Sequence, residues 1–344
     1  IGYIRVDGFT SGGGQLVRSV FTELKEKGIK RLAIDLRSNG GGLMDEAVSL
    51  LSVFLPKGTM VVSAKGRTPD SNFSYQTKVE PVDTLMPLMV LVNSGSASSS
   101  EIVAGALQDL DRALIVGTKT YGKGLVQSIL PVSYNGKLKI TTAKYYTPSG
   151  RCVQAIDYSH RNSDGSVGFV PDSLKKEFKT KLGRSVFDGG GIAPDSTIKG
   201  KPYSRPAFSL VVNDIIGDYA IEFYKKNLSI PPVKEFTLTD EQYADFVEYA
   251  SKRNFDSRSD ALTHLDKMIK AAQDEDLYNV YKSEFDALKA KLDIDKKQML
   301  TLKREELQPL VEEEIITKYY YTKGSVEKII EKDTQLHKAL DIFK

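Results

Sequence analysis

Residues 31–51 read RLAIDLRSNGGGLMDEAVSLL, and this stretch decides the fold. The run 31–36 is short and apolar, as expected of a buried strand. Three glycines follow at 40–42, and then apolar residues recur at helical spacing, which predicts an amphipathic helix over 43–54. A strand, a glycine turn and a helix in succession form the unit of an α/β protein. The glycine run DLRSNGGG (35–42) can aim backbone N–H groups at an anion, because no Cβ blocks the approach. The same run also serves as a tight strand-to-helix connection, and by itself it does not choose between the two.

Working outward, the pattern repeats. Residues 2–7 predict a strand, and 15–27 a helix with Leu16, Val20 and Leu24 on one face beside Val17 and Phe21, ended by Gly28. PLMVLVN (87–93) is a second buried-strand run, followed from about Ser98 by a helix with Ile102, Val103, Ala106, Leu107 and Leu110 inward. Strands are expected near 113–117 and 125–132. Asn135-Gly136 predicts a hairpin turn into 137–146, since both residues tolerate positive φ. Residues 156–200 are less regular, an insertion ending in the glycine-rich turn DGGGIAPD.

Beyond about Ala207 the pattern is helical. Thr239 with Gln242 has the form of a capping box, and Asp256 and Ser257 mark another helix start. Of the 27 glycines, 26 lie before residue 231, whereas 231–344 carries 43 Asp, Glu, Lys and Arg residues. This shift predicts two domains: a core of strand–helix units over 1–204 and a mainly helical C-terminal extension over 205–344. Tyr319, Tyr320 and Tyr321 before Gly324 read as a packed helix end.

Composition excludes several classes. With 344 residues, 40% apolar and 27% charged, the chain can bury a core. A net charge of +3 gives no reason to expect nucleic acid. One cysteine, Cys152, excludes an internal disulfide framework and a cysteine-rich metal site, and three scattered histidines (His160, His264, His337) argue against a histidine metal site. No apolar run reaches the roughly 18 residues of a membrane span. The opening IGYIRVDGF has no Met, no basic stretch and no apolar stretch, and reads as a piece of a longer precursor from which any targeting segment has been removed.

Two further stretches carry candidate chemistry. In NSGSASSSEIVAG (93–105), Ser98 with Glu101 has the form of a capping box, so Ser98 can be simply a helix cap. A helix N-terminus beside a hydroxyl also favours an anionic intermediate. GTKTYGKG (117–124) approaches a phosphate-binding loop, but Gly124 stands where a hydroxyl would hold magnesium, and the next residues, LVQSILPV, are β-like rather than helical. A nucleotide site is therefore rejected. Lys123 gains meaning when paired with Ser98: a serine needs a base, and a lysine desolvated enough to be neutral can act as one. Gln127, four residues on, is expected on the same strand face as Lys123, where its amide can orient the amine. A Ser–His arrangement through His160 is the less economical alternative.

The blocks DLRSNGGGL, SASSSEIVAGALQD, GTKTYGKGLVQ and ITTAKYYTPSGRCVQ, in this order and spacing, resemble the carboxy-terminal processing peptidases, or tail-specific proteases. The resemblance covers roughly residues 1–200. It implies a serine endopeptidase on a fold similar to the crotonase and Clp protease group, using no metal or organic cofactor. Carried onto this chain, it makes Ser98 the nucleophile, Lys123 the general base and Gln127 its orienting partner. The oxyanion hole would be the backbone N–H groups of Ser99 and Gly41, and 140–146 would lie near the substrate channel. Expected substrates are the C-terminal tails of proteins and unfolded chains. The chain departs from the family pattern at Ser99, where Ala is usual, and at Gly40, where proline is frequent. The PDZ domain normally upstream of GYIRV is not seen. The extension is similar to those of envelope members of the family, which implies a periplasmic or envelope location, with self-association or shielding of the active site as candidate roles for the helices. Two rival readings are a non-catalytic binding scaffold on the same fold and a crotonase-like acyl-CoA enzyme.

Overall fold

The run RLAIDL becomes a central strand because both of its faces are covered. A computed structural model describes residues 1–344, which divide into two units: Ile1–Gly200 with Thr334–Lys344, and Lys201–Asp333. The first unit runs β1 (Gly2–Arg5), α1 (Gly13–Glu26), β2 (Leu32–Asp35), α2 (Met44–Leu51), β3 (Met60–Gly66), β4 (Phe73–Gln76), β5 (Leu88–Val92), α3 (Ser99–Asp109) and β6 (Leu114–Gly117). It continues through β7 (Leu125–Pro131), β8 (Lys137–Tyr146), β9 (Ile156–Arg161), β10 (Val167–Phe169), β11 (Glu177–Lys179), β12 (Ser185–Phe187) and β13 (Ser196–Thr197).

The main sheet is parallel throughout, in the order β1-β2-β5-β6-β13. Ala33 pairs with Met89, and Val90 with Ile115. On one face Leu32, Ile34, Leu88, Val90 and Ile115 join Val17 and Phe21 of α1, Val48 and Leu51 of α2, and Val103 and Leu107 of α3 in a single core. Each fully buried large side chain there is worth about 1.5–3 kcal/mol. The alternate residues Ala33, Met89, Leu91 and Val116 are just as completely buried. The strands thus have two dry faces, as parallel strands require.

The chain's last helix belongs to this unit. It is numbered below as α11 (Thr334–Phe343), packs on β5 and β6, and buries Leu336, Ala339 and Phe343. The expected extension over 205–344 is thus divided differently: 334–344 leave the helical unit, because a two-faced sheet needs a second covering layer.

A second, antiparallel sheet has the order β4-β3-β8-β7. The hairpin between β7 and β8 forms, with its turn one residue earlier than Asn135-Gly136. Tyr134 (φ 58°) and Asn135 (φ 57°) hold the left-handed conformations, and Val132 N–H donates to Gly136 O at 2.9 Å. Gly136 itself closes against Val132, where an added Cβ would stand 2.7 Å from a methyl. The irregular insertion resolves into two small antiparallel pairs, β9 with β10 and β11 with β12.

The second unit consists of α4 (Arg205–Val212), α5 (Ile215–Lys226), α6 (Asp240–Ser251), α7 (Asp260–Asp274), α8 (Lys282–Leu292), α9 (Lys296–Leu302) and α10 (Arg304–Lys332). Its core gathers Leu210, Tyr219, Phe223, Phe236, Phe246, Leu307, Val311 and Ile315. The capping box of α6 is made in both directions, Gln242 N–H to Thr239 Oγ1 at 3.2 Å and Thr239 N–H to Gln242 Oε1 at 3.0 Å. The cap of α7 is Ser259, whose Oγ accepts Leu262 N–H at 3.1 Å, so the helix begins later than Asp256 and Ser257 predict. At Tyr321 (φ 55°) α10 breaks and resumes, with Gly324 packed where a Cβ would meet Tyr320. No helix is long and apolar enough to cross a membrane.

Candidate active site

Ser98 stands between β5 and α3 with φ 56° and ψ −116°, a conformation that an L-residue holds only at a cost of about 1–3 kcal/mol. The surroundings over-determine it. Ala97 N–H donates to Asn39 O at 3.0 Å, Ser100 Oγ donates to the same carbonyl at 2.8 Å, and Ser96 Oγ donates to Leu36 O at 2.7 Å. Ser99 Oγ donates to Gly42 O at 2.9 Å. These bonds stitch the glycine turn after β2 to the serine loop after β5, so the two stretches singled out separately in the sequence form one structure.

Gly41 fits there only as glycine. Its φ is +101°, and a Cβ would lie 2.7 Å from Ser98 Cβ and 2.8 Å from Ala97 O. Its N–H donates to Asn39 Oδ1 at 2.8 Å, within the turn. Ser99 N–H, at the first position of α3, is one of the helix's unpaired donors.

Lys123 lies in the segment leading into β7. Its backbone and that of Ser98 share two buried partners. Glu101 Oε2 accepts Ser98 N–H at 3.0 Å and Lys123 N–H at 2.8 Å. The other oxygen, Oε1, accepts Thr120 Oγ1–H at 2.6 Å and Gly122 N–H at 2.7 Å. Tyr145 O–H, from β8, lies 3.3 Å from Ser98 O and also donates to Lys123 O. Glu101 is 0% exposed. Burial pushes its carboxyl pKa upward, and the four donors pull the other way without cancelling the effect. Desolvation, with Glu101 nearby, holds the Tyr145 hydroxyl well above its ordinary pKa, so it serves as a donor. Glu101 and Tyr145 join Ser98 to Lys123, and the sequence does not single them out. Glu101 is visible there only as the third residue of a capping box. It is one of two carboxylates, with Asp109, in a helix whose every residue is buried, and a buried carboxylate needs several donors.

Lys123, Gln127, Gly40 and Ala97 line one cavity of about 310 Å³, together with Leu125 and Tyr158. Leu125 and Gln127, two apart on β7, line it together with Lys123, which precedes the strand; a bulge at Thr142 of β8 shifts the pairing beside Gln127. A larger cavity of about 690 Å³ shares Leu125, Gln127, Gln154, Ile156 and Tyr158 with the first and continues past Cys152, Val170 and Leu174, with Lys144 on its wall. The two make one groove. His160, the alternative base, has a side chain 84% exposed and is held by Asp157 at 2.7 Å, and no hydrogen bond joins it to Ser98. The smaller cavity runs past Lys123 and past Ala97, the residue before the strained Ser98 and the N-terminus of α3.

Residues 1–160 match the model of peptidase family S41, and residues 207–343 match that of the probable PDZ-protease C-terminal helical domain. A carboxy-terminal-processing protease of Bartonella bacilliformis is 44% identical over 160 residues, covering 45% of this chain and 37% of the relative. A carboxyl-terminal-processing protease of Synechocystis is 40% identical over 177 residues, covering 52% of this chain and 38% of the relative. The structure of a photosystem II D1 C-terminal processing protease is 29% identical, covering 57% of this chain and 42% of that one with a TM-score of 0.44. The chain thus spans well under half the length of these relatives. The first 160 residues are thus similar to peptidase family S41.

Proposed function

We propose that this chain is a peptidase of family S41, a serine endopeptidase of the C-terminal processing type acting through Ser98 and Lys123. The observation that carries this reading is the shared carboxylate. Glu101 Oε2 accepts the N–H of both Ser98 and Lys123, tying nucleophile and base to one buried anchor beside one groove.

In this mechanism the Lys123 amine takes the proton of Ser98 Oγ as the oxygen attacks a peptide carbonyl. The carbonyl π bond opens to an oxyanion, and collapse of the tetrahedral intermediate breaks the C–N bond. The leaving amine takes the proton from Lys123. Water, deprotonated by the same lysine, then hydrolyses the acyl-enzyme. Gln127, on the same cavity wall, orients the amine. Ser99 N–H is the standing oxyanion donor. Gly41 N–H is the second, once the substrate oxygen shares or replaces its bond to Asn39 Oδ1. Losing one such donor typically costs about 10²–10³ in rate.

The groove's Leu125, Ile156, Val170 and Leu174 suit apolar side chains of an extended chain, in keeping with C-terminal tails and unfolded proteins as substrates. A periplasmic or envelope location is part of the same proposal, and the match of residues 207–343 to a probable PDZ-protease helical domain supports a PDZ domain working with this core.

The test is digestion of an unfolded protein read by mass spectrometry, with the parent chain, Ser98→Ala and Lys123→Ala compared. Cleavage lost in both variants, with folding intact, supports the dyad. Cleavage that survives either substitution overturns it.

A further inference from the structure

The C-terminal helix does more than cover the sheet: we infer that Gln335, at its start, is a positioning residue for the glycine turn of the active site. Its side chain makes two bonds of opposite sense. Gln335 Oε1 accepts Arg37 Nη1–H at 2.9 Å, and Gln335 Nε2–H donates to Ile198 O at 2.6 Å. Arg37 is itself locked onto Asp35, with Nε 3.0 Å from both carboxylate oxygens and Nη2 2.5 Å from Oδ2. The pair is nearly dry, with side chains 14% and 4% exposed. Asp35 Oδ1 also accepts Arg37 N–H at 2.9 Å, and Asp35 Oδ2 accepts Tyr3 O–H at 2.8 Å.

This network ends where the turn begins. Directly after Arg37, Ser38 takes φ 59° with its N–H on Asn93 Oδ1 at 2.8 Å, and Asn39 spans from Val6 O to the N–H groups of Ala97 and Gly41. Gly41 then abuts Ser98. Each of the residues 37–39 and 41 is therefore pinned, and the pin at Arg37 reaches the C-terminal helix. At the helix's other end Arg31, just before β2, donates to Phe343 O and lies with its guanidinium 5.8 Å from the Phe343 ring. The two arginines that bracket β2 thus hold the two ends of one helix. Planar Arg–Asp forks are directional, so a third, uncharged acceptor on the guanidinium fixes its rotation without removing its charge from Asp35.

The inference rests on the peptidase reading for its kinetic consequence but has a structural readout of its own. Gln335→Ala and Gln335→Glu are compared with the parent in the full chain. Glutamate keeps an acceptor for Arg37, but its second oxygen faces Ile198 O and its charge competes with Asp35 for the guanidinium. In Gln335→Ala, kcat is expected to fall about 10-fold with KM within about 2-fold, since the turn is misplaced and the groove is not. Gln335→Glu should remain slower than the parent. Hydrogen–deuterium exchange should show faster exchange across 36–42 in Gln335→Ala, with β5 and α3 unchanged. This readout stands even if the parent cleaves nothing, the outcome that would sink the peptidase reading alone. Unchanged exchange across 36–42 in Gln335→Ala, or a Gln335→Glu variant as active as the parent, overturns the positioning role.

Discussion

Glu101 was legible as a residue type but not as a site. The sequence shows a glutamate three positions after a serine, and one bond of the capping box is indeed made, from Ser98 N–H to Glu101 Oε2. Its three other donors, Thr120, Gly122 and Lys123, lie 19–22 positions away, and no local pattern announces them. Glu101→Gln puts an NH₂ where donors already point, and each unsatisfied buried donor costs about 1–3 kcal/mol. Denaturant unfolding should show about 2–4 kcal/mol lost, and cleavage should slow by about 10²-fold as the Ser98 and Lys123 backbones part. Retained activity would show that the shared carboxylate does not hold the dyad. Gly41→Ala is the companion case. Positive φ and a contact 2.7 Å from Ser98 Cβ mean that the methyl must displace Ser98, so activity should fall by at least about 10²-fold. The sequence shows Gly41 only as one of three glycines, and the dihedral and the approach that require it there come from the fold.

At the scale of elements, type was easier to read than register. RLAIDL, PLMVLVN and the helix after Ser98 all form close to where apolar periodicity puts them. The hairpin turn slipped by one residue, and a bulge at Thr142 of β8 shifts its pairing with β7. Both depend on cross-strand pairing, which one strand's sequence does not specify. The loop entering β5 shows how a single carboxylate fixes such a junction. Asp83 accepts Lys25 Nζ at 2.7 Å, Leu85 N–H at 2.7 Å and Met86 N–H at 2.8 Å. Burial alone would raise its pKa, but these three donors outweigh it and lower the pKa from 3.8 to about 2. The folded value lies below the unfolded one, so the stabilisation is present above pH 3.8 and is lost as pH falls through about 2. Thermal unfolding of Asp83→Asn should therefore show a Tm deficit near neutral pH that shrinks across this window. A deficit independent of pH would mean that the carboxylate's charge is not what matters.

For the whole molecule, the composition shift at about residue 230 separates a glycine-rich first part from a charged helical one, but it cannot show a chain that returns. Residues 334–344 are charged and helical like their neighbours, yet they pack with the first unit. The clue lay elsewhere, in strands apolar at every position, which need cover on both faces, whereas the helices predicted between them supply one. Deleting 334–344 removes Leu336 and Phe343 from burial and uncovers Met89, Leu91 and Val116. The expected loss from the two side chains alone is about 3–6 kcal/mol. Equilibrium unfolding of the truncated chain should show the first unit destabilised, and an unchanged midpoint would mean that the helix covers nothing essential.

The central claim is that Ser98 is acylated with Lys123 as its base, and pre-steady-state hydrolysis of a nitrophenyl ester of an apolar peptide tests it most directly. The account predicts a burst approaching one equivalent of nitrophenolate per chain, with the acyl group mapped by mass spectrometry to the peptide holding Ser98. The burst should vanish in Ser98→Ala and slow by at least about 10²-fold in Lys123→Ala. An acyl group on another residue, or a burst indifferent to either substitution, would contradict it.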